Sequence, residues 1–92
     1  MSPTVHALRN EIRVAVGRYE RMESTGFTKE SLAAICEAVE YDIPEHSLPS
    51  KPEMRAGILW KVGELDEDDP EEAGSSFRKA ELTVIANELR ED

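Results

Sequence analysis

The chain has few of the residues and segments on which redox or membrane chemistry depends. Its one cysteine, Cys36, excludes an internal disulfide, and it falls within an apolar helical stripe where a free cysteine packs as a small core side chain. The 92 residues include only five aromatics, so we expect a single core built from aliphatic side chains. Apolar runs are only a few residues long, so we expect no signal peptide, no membrane span and a cytoplasmic location.

Residues in catalytic or metal-binding patterns are also missing. The two histidines, His6 and His46, lie in different segments, and the sequence has no Gly-rich phosphate loop, no metal-spaced Cys/His set and no Ser-His-Asp pattern. We therefore predict a protein that is not an enzyme and has no cofactor, no metal site and no small-molecule substrate.

Basic residues are scarce, and lysine is scarcest. Twenty acidic residues stand against 11 basic ones, for a formal charge of −9, and the basic set comprises seven Arg and four Lys. Charge this far from zero destabilises a compact chain by self-repulsion. Salt screens that repulsion, because the Debye length falls to about 3 Å at 1 M ionic strength. The composition favours a halophile, with an ordinary acidic bacterial protein as the alternative.

An acidic stretch interrupts the second half of the chain. Residues 64–72, ELDEDDPEE, hold seven acids in nine positions. An EF-hand is excluded, because Pro70 occupies the third ligand position and Glu71 stands where the loop needs Gly. We predict a solvated loop over 64–76.

Apolar spacing elsewhere is helical, and strand patterns are nearly absent. We predict an all-α single domain over 1–92, a small orthogonal bundle of about four helices with a long Pro-containing loop. The predicted segments are an N-terminal helix at 2–23, a helix–loop–helix at 28–63 and a C-terminal helix at 77–90. Ser2 with Pro3, Thr28, and Ser50 with Glu53 are predicted as the helix-starting residues, and Gly63 as the end of the third helix.

The N-terminal helix carries apolar residues at spacings of three and four, which suit either a core face or a dimer seam. These residues are Val5, Leu8, Ile12, Ala15, Tyr19 and Met22. Residues 1–22 also carry a net charge of +2 from four Arg and two Glu. Arg9 and Arg13 share one helix face, which could meet a nucleic acid or an acidic partner. Alternatively, that face binds the acidic remainder of this chain or a second copy.

A short phrase occurs twice, FTKESLAAI at 27–35 and FRKAELTVI at 77–85. We interpret each copy as the start of a helix followed by its buried apolar positions. This similarity is too limited to indicate a duplicated functional unit. Lys29, Lys51 and Lys79 all lie at helix starts, where the helix dipole favours acids. Anion binding would explain them; so would compensation by the neighbouring acids Glu30, Glu53 and Glu81.

Residues 28–63 resemble a SAP-like module, the helix–extended loop–helix of many chromatin and nucleic-acid proteins. The resemblance rests on a Thr-capped helix with Leu32 and Ile35, an extended loop with Ile43 and Leu48, and a second helix that opens with Lys51. It implies DNA-backbone contacts, which fall here on Ser50, Lys51, Arg55 and, more loosely, Lys29. The whole chain also resembles the small acidic uncharacterised proteins of haloarchaea, which implies habitat only.

Two functions follow from these patterns. The first is a non-catalytic interaction protein, a homodimer or an adaptor for another protein, with the heptad residues and Arg9 and Arg13 at the interface. The alternative is a SAP-like module that contacts nucleic-acid phosphates through helix N-termini.

Overall fold

The computed structural model describes residues 4–23, 25–44 and 46–90, and these residues form helices and no strand. The helices are α1 (Val5–Ala15), α2 (Lys29–Ala38), α3 (Lys51–Lys61), α4 (Pro70–Ala73) and α5 (Lys79–Arg90). The all-α prediction is confirmed, while the orthogonal arrangement of the bundle stays a prediction. Within the described ranges, no helix is long and apolar enough to cross a membrane.

The fifth helix, α4, lies inside the segment predicted as a continuous acidic loop. Asp69 caps it by accepting a hydrogen bond from the N–H of Glu71 at 3.0 Å, and Pro70 takes the first helical position. Proline is suited to that position, because the first turn needs no N–H donor there. The prediction of loop throughout 64–76 was therefore wrong by this one turn.

Side-chain caps start α1, α2 and α3. The Thr28 hydroxyl accepts from the N–H of Ser31 at 3.1 Å, and the Ser50 hydroxyl accepts from the N–H of Glu53 at 3.4 Å. Both predicted caps are confirmed. Thr4 caps α1 by accepting from the N–H of Ala7 at 3.0 Å; the predicted start at Ser2 and Pro3 lies outside the described residues.

The first helix ends at Ala15, so the prediction of a helix to residue 23 was wrong. Gly17 adopts φ +80°, its N–H bonds the carbonyl of Val14 at 3.1 Å, and the N–H of Arg18 bonds the carbonyl of Arg13 at 2.7 Å. This is a Schellman motif, which terminates a helix at a residue with positive φ. Residues 18–23 consequently leave the helix axis.

The same ending closes α2 and α3. Glu40 at φ +63° and Gly63 at φ +84° occupy the positions that Gly17 takes after α1. The N–H of Tyr41 bonds the carbonyl of Cys36 at 2.8 Å, and that of Glu64 bonds Leu59 at 2.8 Å. The predicted end of the third helix at Gly63 is confirmed.

A single aliphatic core joins the helices, with α1 packed on α5 and α3 packed on both α2 and α4. Leu32 and Ile35 from the first copy of the repeated phrase and Leu82 and Ile85 from the second are all at most 1% exposed. The aromatic residues that open the two copies also meet, because the rings of Phe27 and Phe77 lie edge to face, 6.0 Å apart at 68°. The two phrases thus build one core.

A close contact between Gly57 and Tyr41 joins α3 to the chain that follows α2. A Cβ at Gly57 would lie 2.3 Å from the Tyr41 ring, so only glycine admits the ring at this distance. The Tyr41 hydroxyl donates to a carboxylate oxygen of Asp68 at 2.8 Å, and the ring meets Trp60 edge-on at 6.2 Å. Tyr41 therefore ties the segment after α2 to both α3 and the acidic stretch.

Candidate functional site: a basic groove

Residues from four separate segments line a groove of about 340 Å³. Arg9 comes from α1 and Arg55 from α3, and the other walls are formed by residues at or just before helix starts. Those residues are Gly26, Phe27, Lys51, Pro52, Ser75, Ser76 and Phe77, with Leu32 from α2. Among the described residues, the lining contains three cationic side chains and no carboxylate, in a chain whose net charge is −9.

Three helices begin around this groove, and the first helical residue of each is a lysine. The lysines are Lys29 of α2, Lys51 of α3 and Lys79 of α5. A helix N-terminus presents free N–H groups and a positive partial charge, and a lysine there adds to the positive potential. Of the three, Lys51 belongs to the groove lining.

Acidic neighbours offset part of that potential, as the alternative explanation of the lysines required. The Glu81 carboxylate accepts from the N–H of Arg78 at 2.8 Å and pairs with the Arg78 guanidinium at 3.3 Å, so it neutralises the start of α5. The Glu53 carboxylate accepts from the Ser50 hydroxyl at 3.1 Å. The start of α3 nevertheless keeps Lys51, with Arg55 one turn further along the same helix.

Arg55 is the most unusual residue of the groove, because it is buried without an acid. It is 9% exposed, and its Nε donates to the carbonyl of Gly74 at 3.3 Å. In the described part of the chain its terminal nitrogens have no hydrogen-bond partner, and the ion pairs are formed by other arginines, Arg78 and Arg90. Burial lowers the pKa of Arg55, in keeping with an unpaired charge. Arg55 therefore places in the groove a guanidinium that no acid of the described chain pairs with.

Arg13, in contrast, serves the fold. It is 1% exposed; its guanidinium donates to Asn10 Oδ1 at 2.8 Å and to the carbonyls of Thr25 and Gly26 at 2.8 and 3.2 Å. The same group lies 5.1 Å from the centre of the Phe27 ring. The prediction of Arg13 at a partner-facing surface was therefore wrong, because its guanidinium is buried and bonded within the protein.

The remaining predicted phosphate contacts lie outside the lining. The Ser50 hydroxyl is engaged as the cap of α3. Lys29 is exposed at the start of α2, two residues beyond the groove residue Phe27. The structure thus brings Lys51 and Arg55 together, and adds Arg9 from the set predicted for a protein partner.

The six heptad residues do not form one surface. Leu8 and Ile12 are 2% and 0% exposed in the core, and Val5 is half-buried against it. Tyr19 and Met22 are 91% and 100% exposed but lie beyond the end of α1, and Ala15 is its last, exposed residue. The predicted continuous seam is therefore wrong, because a Schellman turn divides its residues between core and solvent.

Ser75, Ser76 and the two phenylalanines were not predicted as site residues. Their one signal in the sequence is the repeated phrase, whose two opening aromatics meet in the groove wall. Cys36 lies in the core as predicted, and burial raises the pKa of its thiol to about 12. Over the described residues, no three His, Cys, Asp or Glu side chains cluster as metal ligands.

No protein-family model, no curated protein and no solved structure matches this chain. The likeness to a SAP-like module stays a prediction. Function is therefore inferred from the groove.

Proposed function

We propose that this protein is a non-catalytic binding module that receives phosphate groups of a nucleic acid in the basic groove. One observation carries the proposal: Arg55 is 91% buried and has no carboxylate partner in the described chain, and it shares the groove lining with Arg9 and Lys51.

A phosphate suits this arrangement for chemical reasons. The planar guanidinium of Arg55 matches two phosphate oxygens, and charge-assisted hydrogen bonds of this kind are the strong ones. Lys51 adds a point charge at the N-terminus of α3, where free N–H groups also favour an anion. A bound phosphate would thus give the Arg55 guanidinium a counter-charge within the groove.

The net charge of −9 sets the strength of this binding. A polyanion is repelled by the chain as a whole, but that repulsion is screened beyond about 10 Å at 0.1 M salt. The contacts inside the groove act at short range. We expect a modest affinity, and the logarithm of the binding constant should fall linearly with the logarithm of salt concentration.

The homodimer hypothesis has less geometric support. Two of its six seam residues, Leu8 and Ile12, are buried in the protein's own core, and Arg13 is committed to backbone carbonyls. Binding of a separate protein partner elsewhere on the surface is compatible with the nucleic-acid role, as is the proposed halophilic origin.

The test is fluorescence anisotropy with a 5′-phosphorylated duplex of about 20 base pairs, across about 50–500 mM KCl. We expect the Arg9→Glu/Lys51→Glu variant to lose at least about tenfold in affinity and to lower the salt slope by about 2. The matched control Arg21→Glu/Lys61→Glu makes the same change of charge outside the groove lining. Circular dichroism checks that both variants fold.

Two results would refute the proposal. One is the absence of binding by the wild-type protein at the lowest salt. The other is an equal loss in both double variants, which would mean that bulk charge and not the groove determines affinity.

A further inference from the structure

We infer that the phosphate held in the groove is a terminal phosphomonoester at the 5′ or 3′ end of a nucleic-acid strand. The inference rests on the proposed function and narrows its ligand from any backbone phosphate to one kind of end group.

The size of the groove and the depth of Arg55 favour an end group. A volume of about 340 Å³ lies at the lower end of ligand sites, which span about 300–1,000 Å³. Arg55 is only 9% exposed, so an anion must enter the groove to reach it. An internal diester phosphate carries sugar on both sides, whereas a terminal phosphate carries one sugar and can enter with its free oxygens first.

The charge of the lining points the same way. Arg9, Lys51 and Arg55 provide three cations, and no carboxylate of the described chain belongs to the lining. A monoester offers three acceptor oxygens and a charge of about −1.5 to −2 at pH 7. An internal diester offers two free oxygens and one negative charge. The three cations of the lining therefore suit the larger charge of a monoester better than the single charge of an internal diester.

The apolar part of the wall strengthens these contacts. Phe27, Leu32 and Phe77 are at most 8% exposed and belong to the groove lining. Hydrogen bonds between charged groups gain strength where side chains exclude water. Ser75 and Ser76 add hydroxyl groups, which can donate to the same anion.

A nucleic acid is favoured over a phosphorylated peptide because an exposed cation, Lys29, follows the lining residue Phe27 closely in the sequence. Lys29 is exposed and follows the lining residue Phe27 by two residues in the sequence, and we expect it to contact the diester phosphates that follow the strand end. A singly phosphorylated peptide has no such second phosphate.

The experiment compares single strands of one sequence that carry a 5′-phosphate, a 3′-phosphate or two hydroxyl ends, by anisotropy with an internal label. We expect the wild-type protein to bind a phosphorylated end at least about tenfold more tightly than the strand with hydroxyl ends. That preference should shrink as the pH falls through about 6, where the monoester loses its second charge. Among the described residues, the lining holds no histidine and no carboxylate.

Two variants locate the effect. Lys51→Met, at an exposed position, should lower the preference at least about threefold, and Arg21→Met should leave it unchanged. Arg55→Lys keeps a cation but removes the planar fork, and it should lower the preference further if circular dichroism shows the native fold.

The outcomes separate the two proposals. Equal binding of all three strands overturns the end-group inference and leaves the proposed function standing. Failure to bind any strand, or binding of a phosphoserine peptide in its place, overturns both. A preference that survives Lys51→Met and Arg55→Lys, or that does not change with pH, contradicts the inference as well.

Discussion

Substituting Gly57 by Ala should destabilise the protein, although the same change in an open helix interior stabilises by about 0.8–1.0 kcal/mol. Gly57 lies in the middle of α3, and an added Cβ would lie 2.3, 2.4 and 2.5 Å from three atoms of the Tyr41 ring. Carbon atoms prefer separations of about 3.5–4.0 Å, so the ring would have to move by about 1 Å or more.

The cost follows from what that movement disturbs. Overpacking of this kind costs about 1–3 kcal/mol. The displaced ring also weakens the 2.8 Å hydrogen bond to Asp68 and the edge contact with Trp60, which contribute about 1 kcal/mol each. After subtracting the gain in helix propensity, we expect a net loss of about 2 kcal/mol, or about 8–16 °C in Tm for a domain of this size.

Urea unfolding followed by circular dichroism and by Trp60 fluorescence measures this loss. Gly26→Ala is the control, because an added Cβ there meets nothing within 4 Å; its stability should stay within about 0.5 kcal/mol of wild type. In the background of Tyr41→Ala, Gly57→Ala should cost far less than it does alone. An increase in stability for the single Gly57→Ala variant would refute this account of the contact.

Three further outcomes are expected. Arg13→Leu leaves two backbone carbonyls without their donor and should cost about 2–5 kcal/mol in urea unfolding, whereas Arg21→Leu, at an exposed position, should change stability by less than about 0.5 kcal/mol. Burial, with the Asp68 hydrogen bond, raises the pKa of Tyr41 from 10.0 to about 12, and burial raises that of Cys36 from 9.0 to about 12. The stability that these two neutral groups contribute is complete below pH 9 and is lost as the pH rises towards 12, because the unfolded chain loses the two protons first. The free energy of unfolding should therefore decline over this range, and less steeply in Tyr41→Phe than in wild type. Raising KCl from about 0.1 to 2 M should increase Tm, because salt screens the self-repulsion of a chain with charge −9.

Each of these outcomes has a clear contrary result. A neutral Arg13→Leu variant would mean that the buried guanidinium contributes nothing to the fold. A steeper alkaline decline in Tyr41→Phe than in wild type would contradict the raised pKa of Tyr41. A Tm that falls with KCl would contradict the halophilic origin proposed from composition.

Helix starts were predictable from the sequence because capping is local. Thr28 and Ser50 each satisfy an N–H three residues ahead, and a short window of sequence contains both partners. The end of α1 was also encoded locally, by Gly17 at positive φ, but the apolar spacing continued beyond it. Periodicity alone cannot tell a helix that continues from one that stops and leaves its next apolar residues in solvent.

Only part of the groove lining could be predicted from the sequence, and the reason differs from that for the helix ends. Lys51 and Arg55 are four residues apart on one helix, so their shared face follows from helical geometry. Arg9, Ser75 and Ser76 join them through tertiary packing, which local patterns do not specify. The burial of Arg13 and Arg55 is equally tertiary: the Arg13 guanidinium is held by Asn10 and two backbone carbonyls, whereas Arg55 is held by the Gly74 carbonyl through its Nε alone.

The most direct test of phosphate binding in the groove is a ¹H–¹⁵N NMR titration with a 5′-phosphorylated single strand at low salt. The account predicts saturable shifts in the amides of Lys51, Ser75, Ser76 and Phe77 and in the Nε–H of Arg55, with little change in the indole N–H of Trp60. Shifts spread over the surface without saturation, or confined to residues outside the groove, would contradict it.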